Sequence, residues 1–264
     1  QQPPRWTSPC EGGGVGHTHS GGRVNRWQRR EQCWCLWPKN SVRGLVDFIG
    51  GSYLATSPQI SYRRLLEWLA DEGYAIHAWS YVPGFDHQLQ AREGWQQLRQ
   101  CRRLLEERLN RAITPMRLGH SLGCKLHLLA PDDGRGCSGL AALSFNNFTA
   151  ERSIPLLGTL APKLGVVTEF SPGPTETLSM IERFYRQDRN LVVRFGDDAL
   201  DQSDDLIQAL QRRPGDQSRF VQTTGDHLTP ASAGLRQGLL GDWADDPGRS
   251  RRIRRLVDLL VAWA

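Results

Sequence analysis

The sequence predicts an α/β fold in three layers, with a mostly parallel central sheet and helices on both faces. Strand-like and helix-like segments alternate from about residue 33 to residue 264. The strand-like segments are mostly short apolar runs without regular polar alternation, which is typical of strands buried on both faces of a parallel sheet. A length of 264 residues suits one domain of this class. We expect residues 23–264 to form it, after a disordered or non-native tail at 1–22.

The first elements follow from local pattern. The aromatic and apolar run CWCLWP, residues 33–38, predicts a strand that ends at its proline. The segment RGLVDFIGG, residues 43–51, predicts a second strand that runs into a double glycine. Apolar residues recur at helical spacing over residues 57–74, which predicts a helix ended by Gly73. The run YAIHAWSY, residues 74–81, predicts the next strand.

The alternation continues to the C-terminus. Leucines at helical spacing predict a long helix over about 90–110, and PMRLGH predicts a short strand before a helix over 121–130. Residues 146–180 contain several prolines and little periodicity, so we expect a small irregular cap there. The remaining predicted elements are strands at 140–145, 191–195 and 219–225, and helices at 176–187, 204–213 and 251–264.

Composition limits the classes of function. The net charge of +5 comes from 33 basic and 28 acidic residues, and the arginines lie on predicted helices that also carry acids. This pattern is typical of a solvated surface and does not predict a nucleic-acid interface. No apolar run approaches the about 20 residues that cross a bilayer. The six cysteines form no C-x-x-C pair, so we expect neither a zinc site nor a disulfide framework, and no cofactor.

Three polar side chains follow predicted strands in the order Ser, Asp, His. They are Ser121, Asp198 and His227, and each stands within a few residues of a strand end. Because the carboxyl ends of parallel strands meet at one edge of a sheet, we expect these side chains to converge. A serine hydroxyl is a weak nucleophile until an imidazole accepts its proton, and a carboxylate fixes the imidazole tautomer. The order therefore predicts a catalytic triad.

The pentapeptide GHSLG, residues 119–123, has the G-x-S-x-G spacing of a nucleophile on a sharp strand-to-helix turn. Bulky side chains two positions on either side of the serine would collide with neighbouring elements, so Gly119 and Gly123 relieve the crowding. Donors for a developing oxyanion should lie nearby. We expect them to be the backbone N–H groups of Leu122, at the start of the next helix, and of Gly51, after the second strand.

Each assignment has an alternative. Ser121 could only cap the helix that follows it. His87 competes for the role of base because it also follows a strand, and Asp201 is the alternative acid. Asp86 and His87 lie in the predicted loop after strand 74–81, and Asn146 follows strand 140–145. These last three are candidates for a substrate loop.

Several stretches resemble the α/β-hydrolase superfamily, from about residue 43 to the end. GHSLG is similar to its nucleophile elbow, LVVRFGDDALDQ to its acid strand and TTGDHLTP to its histidine loop. The sequence has Ile49-Gly50 where the superfamily usually has His-Gly before the oxyanion turn. A set of motifs resembles an uncharacterised family of cyanobacterial and plastid proteins, catalogued as domain of unknown function 1350: FIGGSYLATSPQISYRRLLEWLA, YVPGFDHQ, GHSLGCKLHLL, LSFNN and GDHLTP.

The resemblance implies a photosynthetic lineage and a cytoplasmic or plastid stromal location. The first hypothesis is a serine hydrolase that acts on an ester, thioester or amide of a small-molecule acyl substrate. Apolar residues in the expected cap at 146–180 favour a partly hydrophobic acyl or alcohol group. The alternatives are a non-catalytic protein of the same fold that binds a ligand or partner, and an acyltransferase.

Overall fold

A computed structural model of the chain describes residues 26–39, 41–149, 169–231 and 247–264. The strands are β1 (Gln28–Arg30), β2 (Cys33–Leu36), β3 (Gly44–Ile49), β4 (Tyr74–Trp79), β5 (Pro115–His120), β6 (Gly139–Leu143), β7 (Asn190–Phe195) and β8 (Arg219–Thr223). The helices are α1 (Pro58–Ser61), α2 (Arg63–Asp71), α3 (His87–Leu109), α4 (Leu122–Leu128), α5 (Pro174–Phe184), α6 (Ser203–Gln211) and α7 (Pro247–Trp263).

The eight strands form one sheet in the order β1-β2-β4-β3-β5-β6-β7-β8. All pairs from β4 across to β8 are parallel, whereas β1 and β2 pair antiparallel at one edge. The predicted mostly parallel sheet is therefore confirmed. Its carboxyl edge collects the loops that follow β3, β4, β5, β6, β7 and β8, which are the loops that carry the predicted site residues.

Helices cover both faces of the sheet and close the core. One buried cluster joins α2 and α7 to the sheet through residues such as Leu66 and Val257. Two further clusters join α3 and α4, and α4, α5 and α6, to the opposite face through residues such as Leu98 and Leu206. The burial of such side chains contributes about 1.5–3 kcal/mol each. This framework fixes the strand ends against one another.

The structure refines several predicted boundaries. The helix predicted over 57–74 is divided into α1 and α2 at Tyr62, where the backbone φ is −118°. Apolar spacing continues across this break, so periodicity alone does not reveal it. Helix α3 begins at His87 because the Asp86 side chain accepts from the N–H of Leu89 at 2.8 Å. Helix α5 begins at Pro174, a residue favoured in a first helical turn.

Two predicted segments reach beyond the described ranges. The tail predicted at 1–22 and residues 150–168 of the predicted cap lie outside the described residues. The division into tail, domain and cap therefore stays a prediction. Among the helices that the structure describes, none combines the length and apolarity that a membrane span requires.

Candidate active site

Ser121 occupies a sharp turn between β5 and α4. Its φ of 55° and ψ of −122° place a non-glycine residue at positive φ, a conformation that costs free energy and is common at functional sites. The Ser121 N–H donates to the carbonyl oxygen of Leu143 on β6 at 2.9 Å, which anchors the turn to the neighbouring strand. The serine side chain is thereby held at the carboxyl edge of the sheet.

The glycines that flank the turn allow close backbone contacts. A Cβ at Gly119 would stand 2.7 Å from the backbone N of Cys124, and a Cβ at Gly123 would collide with the carbonyl of Ile49. Real Cβ atoms do not approach backbone this closely, so a larger side chain would displace α4 or β3. The prediction that both glycines relieve crowding is confirmed.

The three polar residues predicted at strand ends meet in one hydrogen-bonded row. Ser121 Oγ lies 3.1 Å from His227 Nε2, and His227 Nδ1 lies 2.8 Å from Asp198 Oδ2. An ionised carboxylate only accepts hydrogen bonds, so Nδ1 of the neutral ring carries the proton. The lone pair on Nε2 therefore faces the serine hydroxyl.

The two candidate acids have different partners. Burial raises the pKa of Asp198, but the hydrogen bond and charge of His227 outweigh it, and the net pKa lies below the ordinary value. Asp201 instead accepts from the N–H and the hydroxyl of Ser203 at 2.8 and 2.9 Å. Burial raises the pKa of Asp201. The structure therefore places Asp198 against the histidine and Asp201 at the start of α6.

A compact turn sets the position of His227. The N–H of Asp226 donates to Thr229 Oγ1 at 2.8 Å, and the N–H of Thr229 donates to the Asp226 carbonyl at 3.0 Å. The acid loop joins this turn because the N–H of Asp197 donates to the carbonyl of Gly225 at 2.8 Å. This hydrogen bond joins the loops after β7 and β8 next to the contact between His227 and Asp198.

The predicted oxyanion donors differ in availability. Leu122 begins α4, and N–H groups in the first helical turn have no intrahelical acceptor. Gly51 passes close to the nucleophile, since a Cβ there would stand 3.0 Å from Ser121 Cβ. Its N–H, however, donates to Tyr62 Oη at 2.8 Å. This corrects the expectation of a free donor at Gly51. The next amide, Ser52, has no acceptor within the described ranges.

The substrate-loop candidates have local partners in the structure. Asp86 caps α3, and Asn146 Nδ2 donates to the Leu200 carbonyl at 3.4 Å. His87 lies against the ring of Phe170 at 4.4 Å, and neither of its ring nitrogens has a partner in the described part of the chain. Burial lowers the pKa of His87 to about 3. In the described residues the hydrogen-bond partner of Ser121 Oγ is His227, not His87.

Sequence reasoning did not assign a role to two further residues near the triad. His120 Nε2 lies 2.8 Å from the backbone carbonyl of His227, and His120 Nδ1 lies 2.7 Å from Tyr62 Oη. Burial and repulsion from His227 lower the pKa of His120 to about 3, so its ring is neutral. The sequence offers only the position of His120 beside the serine as a signal, and nothing that pairs it with Tyr62.

Solved structures share this fold at low sequence identity. The chain is similar to carboxyl esterase 2 of Tuber melanosporum (15% identity, TM-score 0.60, covering 92% of this chain and 87% of that one). It is also similar to dienelactone hydrolase of Anabaena variabilis (13%, 0.56, 91% and 97%). The fluorophosphonate-binding serine hydrolase FphF of Staphylococcus aureus is a third similar structure (15%, 0.53, 89% and 97%). No curated protein matches the chain.

These likenesses show the fold and confirm the α/β-hydrolase architecture that the motifs imply. A family described as "Protein of unknown function (DUF1350)" matches residues 26–243, which is most of the chain. The chain therefore has an α/β-hydrolase fold and belongs to the DUF1350 family.

Proposed function

We propose that the protein is a serine hydrolase that cleaves an ester, thioester or amide. The observation that carries this proposal is the unbroken row from Ser121 Oγ through both ring nitrogens of His227 to Asp198. Each member has the donor or acceptor that its role needs, and the serine stands on a strained turn at the carboxyl edge of the sheet. The hydrolases among the similar structures agree with this assignment.

In the proposed reaction each residue has a defined step. His227 Nε2 accepts the Ser121 hydroxyl proton as Oγ attacks the substrate carbonyl carbon, which forms a tetrahedral oxyanion. The leaving group departs with the proton from His227, and an acyl–Ser121 ester remains. Water then attacks this ester, with His227 again moving the proton, and releases the acid. Asp198 keeps the ring in the required tautomer and stabilises its charged form.

The oxyanion requires backbone donors close to Ser121. The Leu122 N–H, at the start of α4, supplies one of them. Because the Gly51 N–H already has an acceptor, we assign the second donor to the adjacent Ser52 N–H in the same turn. This assignment moves the second donor by one residue and keeps it in the loop after β3.

Exposed apolar side chains favour a partly hydrophobic substrate group. Tyr53 follows β3, while Val82, Phe85 and Leu89 follow β4, and all four have exposed side chains. Both strands end at the sheet edge that carries Ser121. A small acyl or alcohol group with an apolar part suits these surroundings. Acyl transfer is the alternative reaction. We also propose that the protein is located in the cytoplasm or in the plastid stroma.

The test is trapping of the acyl-enzyme. The native chain is mixed with p-nitrophenyl acetate, butyrate and octanoate, and p-nitrophenol release and the mass of the Ser121 peptide are followed. We expect release of p-nitrophenol and an acyl adduct on Ser121, and neither with Ser121→Ala. Added alcohol that diverts the acyl group from water to an ester product would indicate acyl transfer. No adduct and no release with any of the three esters would contradict the proposal and favour a non-catalytic binding protein.

A further inference from the structure

A second hydrogen-bonded row lies directly behind the triad. The N–H of Gly51 donates to Tyr62 Oη at 2.8 Å, Tyr62 Oη lies 2.7 Å from His120 Nδ1, and His120 Nε2 lies 2.8 Å from the His227 carbonyl oxygen. Tyr62 is fully buried and His120 is 1% exposed. The row therefore runs through the protein interior, where water does not compete for its bonds.

Chemistry fixes every proton in this row. The carbonyl oxygen of His227 only accepts, so His120 Nε2 must carry a hydrogen. In the neutral ring His120 Nδ1 is then an acceptor, and it receives the hydroxyl hydrogen of Tyr62. The Tyr62 oxygen in turn accepts from the N–H of Gly51. Each group is satisfied in a single arrangement, and a buried network of this kind specifies one geometry.

The row connects the parts of the site that must be aligned. Gly51 lies in the turn after β3 that also contains Ser52, and Tyr62 lies at the junction of α1 and α2. His120 immediately precedes the serine, while His227 carries the ring that faces it. These segments are distant in sequence, since His120 and His227 are separated by 107 positions. The backbone of the histidine loop is thus held against the elbow itself.

We propose that Tyr62 and His120 are positioning residues that hold the His227 loop and the oxyanion turn in alignment with Ser121. This inference rests on the proposed serine-hydrolase function. Neither residue exchanges a proton with substrate. Their effect on rate comes from distance, because displacement of a reacting group by about 1 Å can cost about 100-fold in rate.

The test compares substitutions that differ in which hydrogen bonds they preserve. His120→Leu removes both bonds of His120, whereas His120→Gln retains an amide donor toward the His227 carbonyl and an acceptor toward Tyr62. Tyr62→Phe removes one buried hydroxyl. Its matched control is Tyr185→Phe, which removes another buried hydroxyl, 3.0 Å from Asn190 Oδ1 near the start of β7. Thermal unfolding reports the stability of each variant.

The readout is kcat and KM for p-nitrophenyl acetate per active site, with sites counted by a fluorophosphonate probe. For His120→Leu we expect kcat to fall by about 10- to 100-fold, with KM changed by less than about threefold. Tyr62→Phe should lower kcat by about tenfold, while His120→Gln should restore it to within a few-fold of the native value. Tyr185→Phe should unfold at a lower temperature and keep the native kcat per site.

Equal kcat per counted site in the native chain, His120→Leu and Tyr62→Phe would overturn the inference, as would an equal loss in Tyr185→Phe. A failure of His120→Leu to fold leaves the comparison between Tyr62→Phe and Tyr185→Phe decisive. Absence of labelling and turnover in the native chain would contradict the proposed function instead. The two failures are therefore distinguishable in one set of measurements.

Discussion

Among the described residues, two His–Asp pairs can be compared, and of these two the pair at His227 faces a hydroxyl. His227 Nδ1 lies 2.8 Å from Asp198, and its Nε2 lies 3.1 Å from Ser121 Oγ. His77 Nδ1 lies 3.1 Å from Asp47, and its Nε2 lies 3.0 Å from the indole nitrogen of Trp37. Both rings have the same tautomer, since each Nδ1 faces a carboxylate and each Nε2 accepts.

The two His–Asp pairs differ in the group that faces Nε2 of the histidine. An indole N–H only donates a hydrogen bond and has no lone pair with which to attack a carbonyl. A serine hydroxyl can transfer its proton to the ring and attack through its oxygen. The same imidazole–carboxylate unit therefore cross-links the sheet at His77 and, under the proposed function, activates a nucleophile at His227.

Position in the sheet explains why the pairs differ. His77 lies within β4 and pairs in register with Asp47 on β3, so its ring is enclosed between strands and helices. His227 lies beyond the end of β8, in a loop at the carboxyl edge, and its side chain is 18% exposed. Substrate can reach a ring at a strand end, whereas it cannot reach one in a strand interior. Residue chemistry alone does not identify a site.

The largest expected difference follows from the same substitution in both histidines. His227→Gln should lower kcat by about 10,000-fold or more because the proton acceptor is lost. His77→Gln should leave kcat per labelled site unchanged and lower the free energy of unfolding by about 1–3 kcal/mol, because buried partners are left poorly paired. Ester hydrolysis and urea unfolding of both variants provide the measurement. Similar losses of kcat in the two variants would remove the distinction.

A smaller difference is expected from the carboxylates. Asp198→Asn should lower kcat by about 1,000- to 10,000-fold because the amide permits the wrong histidine tautomer. Asp47→Asn should lower the free energy of unfolding and leave kcat unchanged, because the buried His77 would be left poorly paired. Asp201→Asn is the matched control in the acid loop, since Asp201 binds Ser203. A loss of kcat in Asp201→Asn as large as that in Asp198→Asn would contradict the assignment of Asp198 as the acid of the triad.

The smallest effect is a difference in pH dependence between the two acids. The folded pKa of Asp198 is lowered, so its stabilising contribution is complete above the ordinary pKa of about 4 and is lost as pH falls through the folded pKa. The folded pKa of Asp201 is raised, so it destabilises the fold as pH rises through that pKa. Unfolding free energies of Asp198→Asn and Asp201→Asn between pH 3 and 7 should therefore diverge from the native curve in opposite directions.

If the unfolding free energies of the two variants diverge from the native curve in opposite directions as pH rises, the two carboxylates occupy different electrostatic environments. If they diverge in the same direction, the contact with His227 does not govern the pKa of Asp198. The native chain serves as the reference at each pH, and far-UV circular dichroism establishes that each variant starts from the folded state.

The fold and the three polar residues of the site follow from local sequence signals. G-x-S-x-G spacing reports a strand-to-helix turn, and the positions of Asp198 and His227 after strands place them at the same sheet edge. These signals depend on the local order of residues and not on side-chain packing, so they can be recognised in a single sequence.

The hydrogen bonds that Tyr62 and His120 make beside the triad could not be predicted from the sequence. The contact between Gly51 and Tyr62 depends on the break between α1 and α2, across which the apolar spacing continues. The contact from His120 to the His227 carbonyl depends on the path of a loop that no periodicity describes. Strand β1 has the polar sequence QRR, which carries no apolar signal, and it pairs with β2 in a tight local hairpin in which Arg30 opposes Cys33. Neither the two hydrogen bonds nor this polar strand therefore leaves an apolar pattern in the sequence.

Labelling with a fluorophosphonate probe tests whether the His227–Asp198 pair activates Ser121. The native chain, Ser121→Ala, His227→Gln and His77→Gln are compared at equal folded concentration. We expect rapid labelling of the native chain and of His77→Gln, slow labelling of His227→Gln and none of Ser121→Ala. Equal labelling of the native chain and Ser121→Ala, or no labelling of either, would show that Ser121 is not an activated nucleophile.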